Sequence, residues 1–593
     1  MGRPATLGAA LPGLRRTAVR FRSHLREQRR LLVLGLAALV AEVGLRLLEP
    51  WPLAFVVDAV VAASGADLTT RSTGVERVET LIAVCAAALV GVVALRAAAS
   101  YAMTVCFALA GNRVLTRVRS ELYAHLNALS MSFHDKRRTG DLVTRVTGDV
   151  GRLQEAAVTA MAPLVGNVVT LAGMIVVVAI MDWQLALVVL VVFPLFLLVS
   201  RRLTKRIVGV SREQRTAEGA LASMATESLA SMAVVQSYSL ESRLEERFGG
   251  SNERSLTEGV RAKKLSAGLE RKTDVLVGLG TGMVLFFGAQ RVLSGDLSVG
   301  ELTVFLTYLK TAFKPLRDIA KYTGRIAKAS ASGERIIDVL DERVELRDPS
   351  WARPAPRFRG YVHFDQVHLA YQPGHPVLRG LDLNVHAGQR VAVVGPSGAG
   401  KSSLMALLTR LRQPDCGAVR IDGHDIADLT LASVRAQLAV VLQESVLFAA
   451  SIRDNIALGS PGPVTDEQVE AAARLAGAHD FVTALPEGYA TVVGERGSTL
   501  SGGQRQRIAI ARAAIRDAPV VVLDEALTGL DADTESEVSA ALGRLTAGRT
   551  TFVITHDLDA ARDCDVVVWL EDGRVARMGP PDQVLPAVAE LVP

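Results

Sequence analysis

Arg390–Leu411 reads RVAVVGPSGAGKSSLMALLTRL: an apolar strand, a glycine-rich turn and a helix in 22 residues. Its centre, Gly395-Pro396-Ser397-Gly398-Ala399-Gly400-Lys401-Ser402, fits G-x-x-x-x-G-K-[ST] in the setting this motif requires, after a strand and opening a helix. Glycines let backbone N–H groups converge on phosphate oxygens, and the helix N-terminus adds partial positive charge. Lys401 would reach the β- and γ-phosphates of a nucleotide, and Ser402 would ligate Mg²⁺, with Ser403 following in the first helical turn. The surrounding chain has the matching pattern. Short β-branched runs (LAVVLQ 438–443, PVVVLDE 519–525, TTFVITHD 550–557) alternate with helical stretches, which signals a parallel-sheet α/β domain over 360–593.

Val520–Glu525 is an apolar strand that finishes in two acids. Carboxylates at the C-terminal edge of a buried strand stand at the usual ligand crevice of such a sheet. Asp524 suits the Mg²⁺ shell, and Glu525 suits a base that orients or deprotonates an attacking water. Ser501 stands 100 residues beyond Lys401 in Leu500-Ser501-Gly502-Gly503-Gln504, which opens the helix RQRIAIARAAI. A Ser-Gly-Gly turn at a helix N-terminus is a second anion cradle. Two cradles exceed what one triphosphate needs, so the second is expected to cover nucleotide held by another chain.

Upstream the character changes. Residues 341–359 are charged and hold Pro349, Pro354 and Pro356, the composition of a linker. Before them, over 31–340, come long apolar runs: Leu31 to about Ala63, Thr80–Asn112, Ala156–Met181, Trp183–Ser200 and Val275–Gln290. About 20 apolar residues cross a bilayer as a helix. A sixth span is expected over Val299–Tyr322, although Lys310 and Lys314 interrupt it. These runs account for a mean hydropathy of +0.28 over 593 residues, 49% of them hydrophobic and 21% charged.

Basic residues orient the spans. Segments 112–155 and 201–272 carry eight and fourteen Lys/Arg, while the alternate loops 64–79, 181–182 and 291–298 carry two, none and one. This bias places the charged loops and both termini in the cytoplasm, in a multi-pass protein of the plasma (inner) membrane. The net charge of +5 therefore belongs to the membrane's cytoplasmic side, and no nucleic acid partner is implied. Residues 1–30 hold eight Arg against one acid, Glu27. A cleaved leader is disfavoured because the apolar stretch continues past Arg46. The basic segments are rich in Ala, Leu, Glu and Arg, so the spanning helices are expected to run on into the cytoplasm and turn near 133–141 and 236–241. Four scattered cysteines, Cys85, Cys106, Cys416 and Cys564, form neither a disulfide framework nor a zinc motif.

Taken with these motifs, the chain resembles an ATP-binding cassette (ABC) transporter of the exporter type, from about residue 30 to the end. The resemblance implies a membrane α-helical domain of six spans plus an α/β P-loop NTPase domain of the ABC ATPase type. ATP and Mg²⁺ are the implied cofactors. Tyr371 would stack on adenine, Gln443 would contact Mg²⁺, and His556 would sense the γ-phosphate. Ser501, Gly502 and Gly503, with Gln504, would hold the opposite subunit's γ-phosphate, and Asp531 would lie in the dimer-contacting loop. Gly494-Glu495-Arg496-Gly497 resembles a loop by which exporters couple their domains, and 133–141 and 236–241 resemble coupling helices.

The implied activity is ATP-driven export of an amphipathic or hydrophobic small molecule, drug or lipid by two half-transporters, as a homodimer or a paralogous heterodimer. An importer on the same architecture, such as one for siderophores, and a non-transporting regulatory ATPase are the alternatives. One departure stands out: many relatives read Ala-Thr-Ser-Ala-Leu-Asp after the catalytic Glu, whereas this chain has Ala526-Leu527-Thr528-Gly529-Leu530-Asp531. In the membrane, Glu42, Arg46 and Glu49 share the first span and Arg96 falls within the second. Charges there are costly, and pairing between the first two helices is their simplest use. Glu49-Pro50-Trp51-Pro52 is expected to kink the first span.

Overall fold

Alanine, leucine and valine dominate 29–340, and the chain there forms helices of unusual length: Arg71–Ala128, Trp183–Ala230, Glu241–Leu293 and Val299–Leu340. The 58-residue Arg71–Ala128 is about 87 Å long at 1.5 Å per residue, far more than a bilayer's hydrocarbon core. The computed structural model describes residues 7–64, 71–372, 374–494, 497, 499–527 and 532–589. It divides into two units, Met1–Leu126 with Gly140–Asp341, and Asn127–Thr139 with Glu342–Pro593.

In the first unit, four stretches among the described residues are long and apolar enough to cross a membrane: Arg29–Ala63, Val78–Ala128, Thr139–Met181 and Asp274–Leu293. The expected span Trp183–Ser200 is helical, but its side chains from 188 onward lie outside the described residues. Val299–Leu340 also forms, yet is not among the four. Its apolar residues Val304, Phe305, Tyr308, Leu309 and Phe313 are buried against neighbouring helices, while Thr303, Thr307 and Thr311 bond back to carbonyls one turn earlier. A helix buried in protein on one side needs fewer apolar residues than one surrounded by lipid.

The first span breaks where its prolines stand. Helix Arg29–Leu48 stops, and Trp51–Ser64 resumes after Glu49 and Pro50. The Tyr308 hydroxyl crosses the break, donating to the Leu47 carbonyl and accepting from Trp51 Nε1 at 3.2 Å. Arg96 pairs with Glu49, joining the first two spans. Ser298 caps Val299–Leu340 in a reciprocal box with Glu301, and Asp58 braces this end, accepting from Ser298 Oγ at 2.8 Å and the Gly300 amide at 2.7 Å. Buried Asp149 ends a π-helical turn, Arg145–Asp149, and is clasped by Arg335 at 2.6 Å and Ser332 at 3.0 Å. Helix Leu7–Arg20 lies along the end of Val299–Leu340, where Arg16 pairs with Asp341 at 2.7 Å.

Among its described residues the second unit holds ten strands: β1 (Val362–Gln372), β2 (His375–Val385), β3 (Arg390–Val394), β4 (Cys416–Ile421), β5 (His424–Asp425), β6 (Leu438–Val441), β7 (Val520–Asp524), β8 (Thr550–Ile554), β9 (Val566–Glu571) and β10 (Arg574–Gly579). A four-stranded antiparallel sheet runs β2-β1-β4-β5, and a six-stranded sheet runs β10-β9-β3-β8-β7-β6, parallel except for β10. Parallel strands covered on both faces explain the unbroken apolar runs of β3, β7 and β9. Residues 341–359, read as a linker, are fastened to this unit: the Phe358 amide donates to Gln437 Oε1 at 2.8 Å, and Gln437 Nε2 donates to the Pro356 carbonyl at 2.7 Å.

Candidate nucleotide site

Four neighbouring parallel strands end side by side. β3 leads into Gly395, β8 into His556, β7 into Glu525 and β6 into Gln443. Their register aligns Val393 with Ile554, Ile554 with Asp524, and Leu523 with Val441. The residues that follow therefore emerge together at the carboxyl edge of the sheet, where open α/β folds take their ligands.

The turn after β3 needs its glycines. Gly395, Gly398 and Gly400 have φ of 155°, 84° and 106°. A Cβ at Gly395 would lie 2.2 Å from the Leu570 carbonyl oxygen, and one at Gly400 would lie 2.6 Å from a Leu378 methyl. Gly400 caps helix Lys401–Leu408. Lys401 Nζ donates to the carbonyls of Gly395 at 2.7 Å and Pro396 at 3.0 Å, folding its ammonium over the loop. Burial lowers the pKa of this lysine, against the pull of the Glu525 and Asp524 carboxylates. Burial raises that of Asp524, and the adjoining Glu525 charge adds to it while Lys401 opposes.

Glu525 gathers the other strand ends. Its φ of 46° is left-handed, an uncommon conformation for a residue with a Cβ, and its amide donates to the Ile554 carbonyl at 2.9 Å. That geometry turns the carboxylate toward its neighbours. Gln443 Nε2 donates to Oε2 at 2.8 Å, and His556 Nδ1 lies 3.2 Å from Oε1. Lys401, Gln443, Asp524, Glu525 and His556, chosen from sequence, thus belong to one cluster. Ser402 is exposed at the mouth of the loop. A serine hydroxyl, the Asp524 carboxylate and an amide oxygen of Gln443 are hard oxygen donors of the kind Mg²⁺ takes, and the half-buried excess of negative charge suits a cation.

Leu500–Gln504 is self-contained. Ser501 Oγ accepts from the Gln504 amide at 3.2 Å while Gln504 Oε1 accepts from the Ser501 amide at 3.0 Å, a reciprocal cap on helix Gly502–Ala514. The cap uses the Ser501 oxygen as acceptor only, and Ser501 and Gly502 are both exposed. Tyr371 sits near the end of β1, its hydroxyl 2.9 Å from Ser403 Oγ. Asp531, Glu495 and Arg496 lie outside the described residues, as do Thr528, Gly529 and Leu530 of the departing loop.

Sequence reasoning passed over several supporting residues. Gln506 donates to the Ala526 carbonyl at 2.8 Å and accepts from Ser445 Oγ, joining the chain after β6 to the chain after β7. Its signal was available: a glutamine on the buried stripe of the helix, between Gly503 and Ile510. Arg512 bonds the Asn455 side chain at 2.8 Å and the Val446 carbonyl at 2.9 Å. No local pattern marks that pairing.

A helical membrane domain and a phosphate-cradling ATPase domain on one chain define a nucleotide-driven membrane transporter. Comparison with known proteins agrees. The family model for the ABC transporter transmembrane region matches residues 32–316, and the ABC transporter model matches residues 378–528. An ATP-dependent lipid A-core flippase of Syntrophus aciditrophicus (strain SB) is 35% identical over 82% of this chain and 80% of its own. A putative multidrug export ATP-binding/permease protein, YgaD of Bacillus subtilis (strain 168), is 30% identical over 92% and 93%. A solved bacterial Atm1-family ABC exporter with ATP bound matches with TM-score 0.74 at 28% identity, over 96% of each chain. The chain belongs to the ABC transporter family, as an ATP-hydrolysing, multi-pass membrane transporter with the exporter's fused domains and the half-transporter's need of a second subunit.

Proposed function

We propose that two half-transporters, two copies of this chain or this chain with a paralogue, export an amphipathic or hydrophobic small molecule, a drug or a lipid from the cytoplasm across the plasma membrane. Each ATP is held by the loop Gly395–Ser403 of one copy, with Tyr371 against adenine, and is covered by Ser501, Gly502, Gly503 and Gln504 of the other. Asp531 belongs to the same interface. Ser402, Asp524 and Gln443 are the residues to hold Mg²⁺, which supplies charge neutralisation at the phosphates when bound. Glu525 takes the proton of the attacking water and His556 stands beside it to meet the γ-phosphate. Both termini face the cytoplasm, and the turns at 133–141 and 236–241 carry movement between domains.

The single observation that carries this reading is the Gln443–Glu525–His556 constellation at the mouth of the glycine loop, with each polar partner in place. A regulatory protein without turnover has no use for it. Names of the relatives support the cargo class: one is a lipid A-core flippase and another a putative multidrug exporter. The test is uptake of a fluorescent cationic dye or an NBD-labelled phospholipid into inside-out vesicles bearing the wild-type chain, with Mg²⁺ and ATP. Accumulation that needs ATP and disappears in Glu525→Gln supports export. Dye or lipid movement only in right-side-out vesicles would favour import instead.

A further inference from the structure

Tyr371 is held in a way that its role against adenine does not by itself require. Its hydroxyl is tied to Ser403 in the first turn of helix Lys401–Leu408. One face of its ring is covered by the guanidinium of Arg412, whose Cζ lies 4.1 Å from the ring centroid. Arg412 is itself only 16% exposed, and its Nη2 lies 3.5 Å from Asp135 Oδ2. Asp135 belongs to the short helix Met131–Lys136, which sits in the same unit as the strands although the chain on both sides of it belongs to the other.

The backbone fixes this stack. The Arg412 amide donates to the Ala406 carbonyl at 3.1 Å, closing the end of the helix. Three residues on, Asp415 accepts from the Ala370 amide at 2.7 Å and its own amide donates to the His368 carbonyl at 2.8 Å. The turn that carries Arg412 is thus stitched to β1 immediately before Tyr371. A planar guanidinium at this distance makes a cation–π contact, and arginine suits it better than lysine because its plane can lie on the ring. Arg412 takes one face, and Tyr371 as a residue is still 41% exposed, which leaves surface for a base.

We propose that Arg412 is a positioning residue for the nucleotide: it holds the Tyr371 ring for adenine and ties that ring to Asp135, so that adenine binding is felt at Met131–Lys136. The proposal rests on the reading of Tyr371 as the adenine platform. The shared elements are one stack and one ion pair: Asp135, Arg412, Tyr371, then the base.

The experiment measures binding of ATP and of inorganic tripolyphosphate to the full chain in lipid nanodiscs, in a Glu525→Gln background that prevents turnover. Arg412→Ala should weaken ATP about fivefold and leave tripolyphosphate unchanged. Arg412→Lys should recover part of the loss. Asp135→Asn should weaken ATP about twofold, and this effect should vanish in Arg412→Ala. In Tyr371→Ala, the further change Arg412→Ala should do nothing. Equal losses for ATP and tripolyphosphate in Arg412→Ala, or no loss beside a weakened Tyr371→Ala, overturn the proposal alone. An Asp135→Asn effect that persists without Arg412 overturns the link to Met131–Lys136. Unchanged ATP affinity in Tyr371→Ala overturns the adenine reading and the proposal with it.

Discussion

The two units use polar side chains in opposite ways. In the nucleotide unit, Lys401, Gln443, Asp524, Glu525 and His556 are delivered by the ends of adjacent strands to one edge, where they lean on one another and leave capacity for a ligand. In the membrane unit, Asp58, Asp149, Glu49 and Arg96 are consumed by the structure itself, as braces and ion pairs between helices. A cluster that still has unsatisfied charge is a site, and a charge fully met by its partners is a fastening.

Substitutions in the first group should therefore cost turnover and spare stability, and those in the second should do the reverse. The largest effect is expected for Glu525→Gln. Removing a general base should lower phosphate release about 10²–10³-fold while ATP still binds. A turnover loss matched by a collapse in thermal stability would erase the distinction. Next comes Asp149→Ala, which strips Arg335 and Ser332 of their acceptor. It should cost about 2 kcal/mol, read as a lower unfolding midpoint in detergent. An unchanged midpoint would remove Asp149 from the fastenings. Asp58→Ala removes the acceptor of Ser298 Oγ and the Gly300 amide, leaving the Ser298–Glu301 capping box of Val299–Leu340 in place, and should cost about 1 kcal/mol, with Asp58→Asn recovering part of it. The smallest effect is chemical. Burial pushes the Cys564 thiol up to about 11, so at pH 8 a maleimide should label exposed Cys416 and leave Cys564 untouched until the chain is denatured. Labelling of Cys564 in the native protein would contradict its packing against β3 and β9.

Legibility in the sequence follows the same division. The phosphate cradle lies in eight consecutive residues, and the strand-end acids of β7 advertise themselves by ending an apolar run. Parallel strands then carry Gln443 and His556 to the same edge, so the site's members could be chosen singly and the sheet brings them together. The left-handed backbone of Glu525 could not be foreseen, since nothing local demands it.

The membrane unit reads less well because its pairs span the chain. Ser298 reaches Asp58 across 240 residues, and Arg335 reaches Asp149 across 186. Neither acid carries any mark of its partner. Glu49 and Arg96 were visible as charges in apolar runs, and pairing them needed only two neighbouring spans. The weakness of Val299–Tyr322 as a span was also real in the residues. Lys310, Lys314 and the three back-bonded threonines are what a helix packed in protein carries, and composition alone does not separate that helix from one lying outside the membrane.

If each ATP is shared by two chains, two inactive variants damaged in different halves of the site should complement one another. Lys401→Ala disables the cradle of one chain. Gly502→Glu sets a carboxylate at the first turn of helix Gly502–Ala514, which the helix tolerates and a γ-phosphate does not. Each variant alone should hydrolyse no ATP. Co-reconstituted in one membrane, the two should regain turnover, because mixed pairs hold one site with both an intact Lys401 and an intact Gly502. No recovery from verified mixed pairs would contradict the shared site.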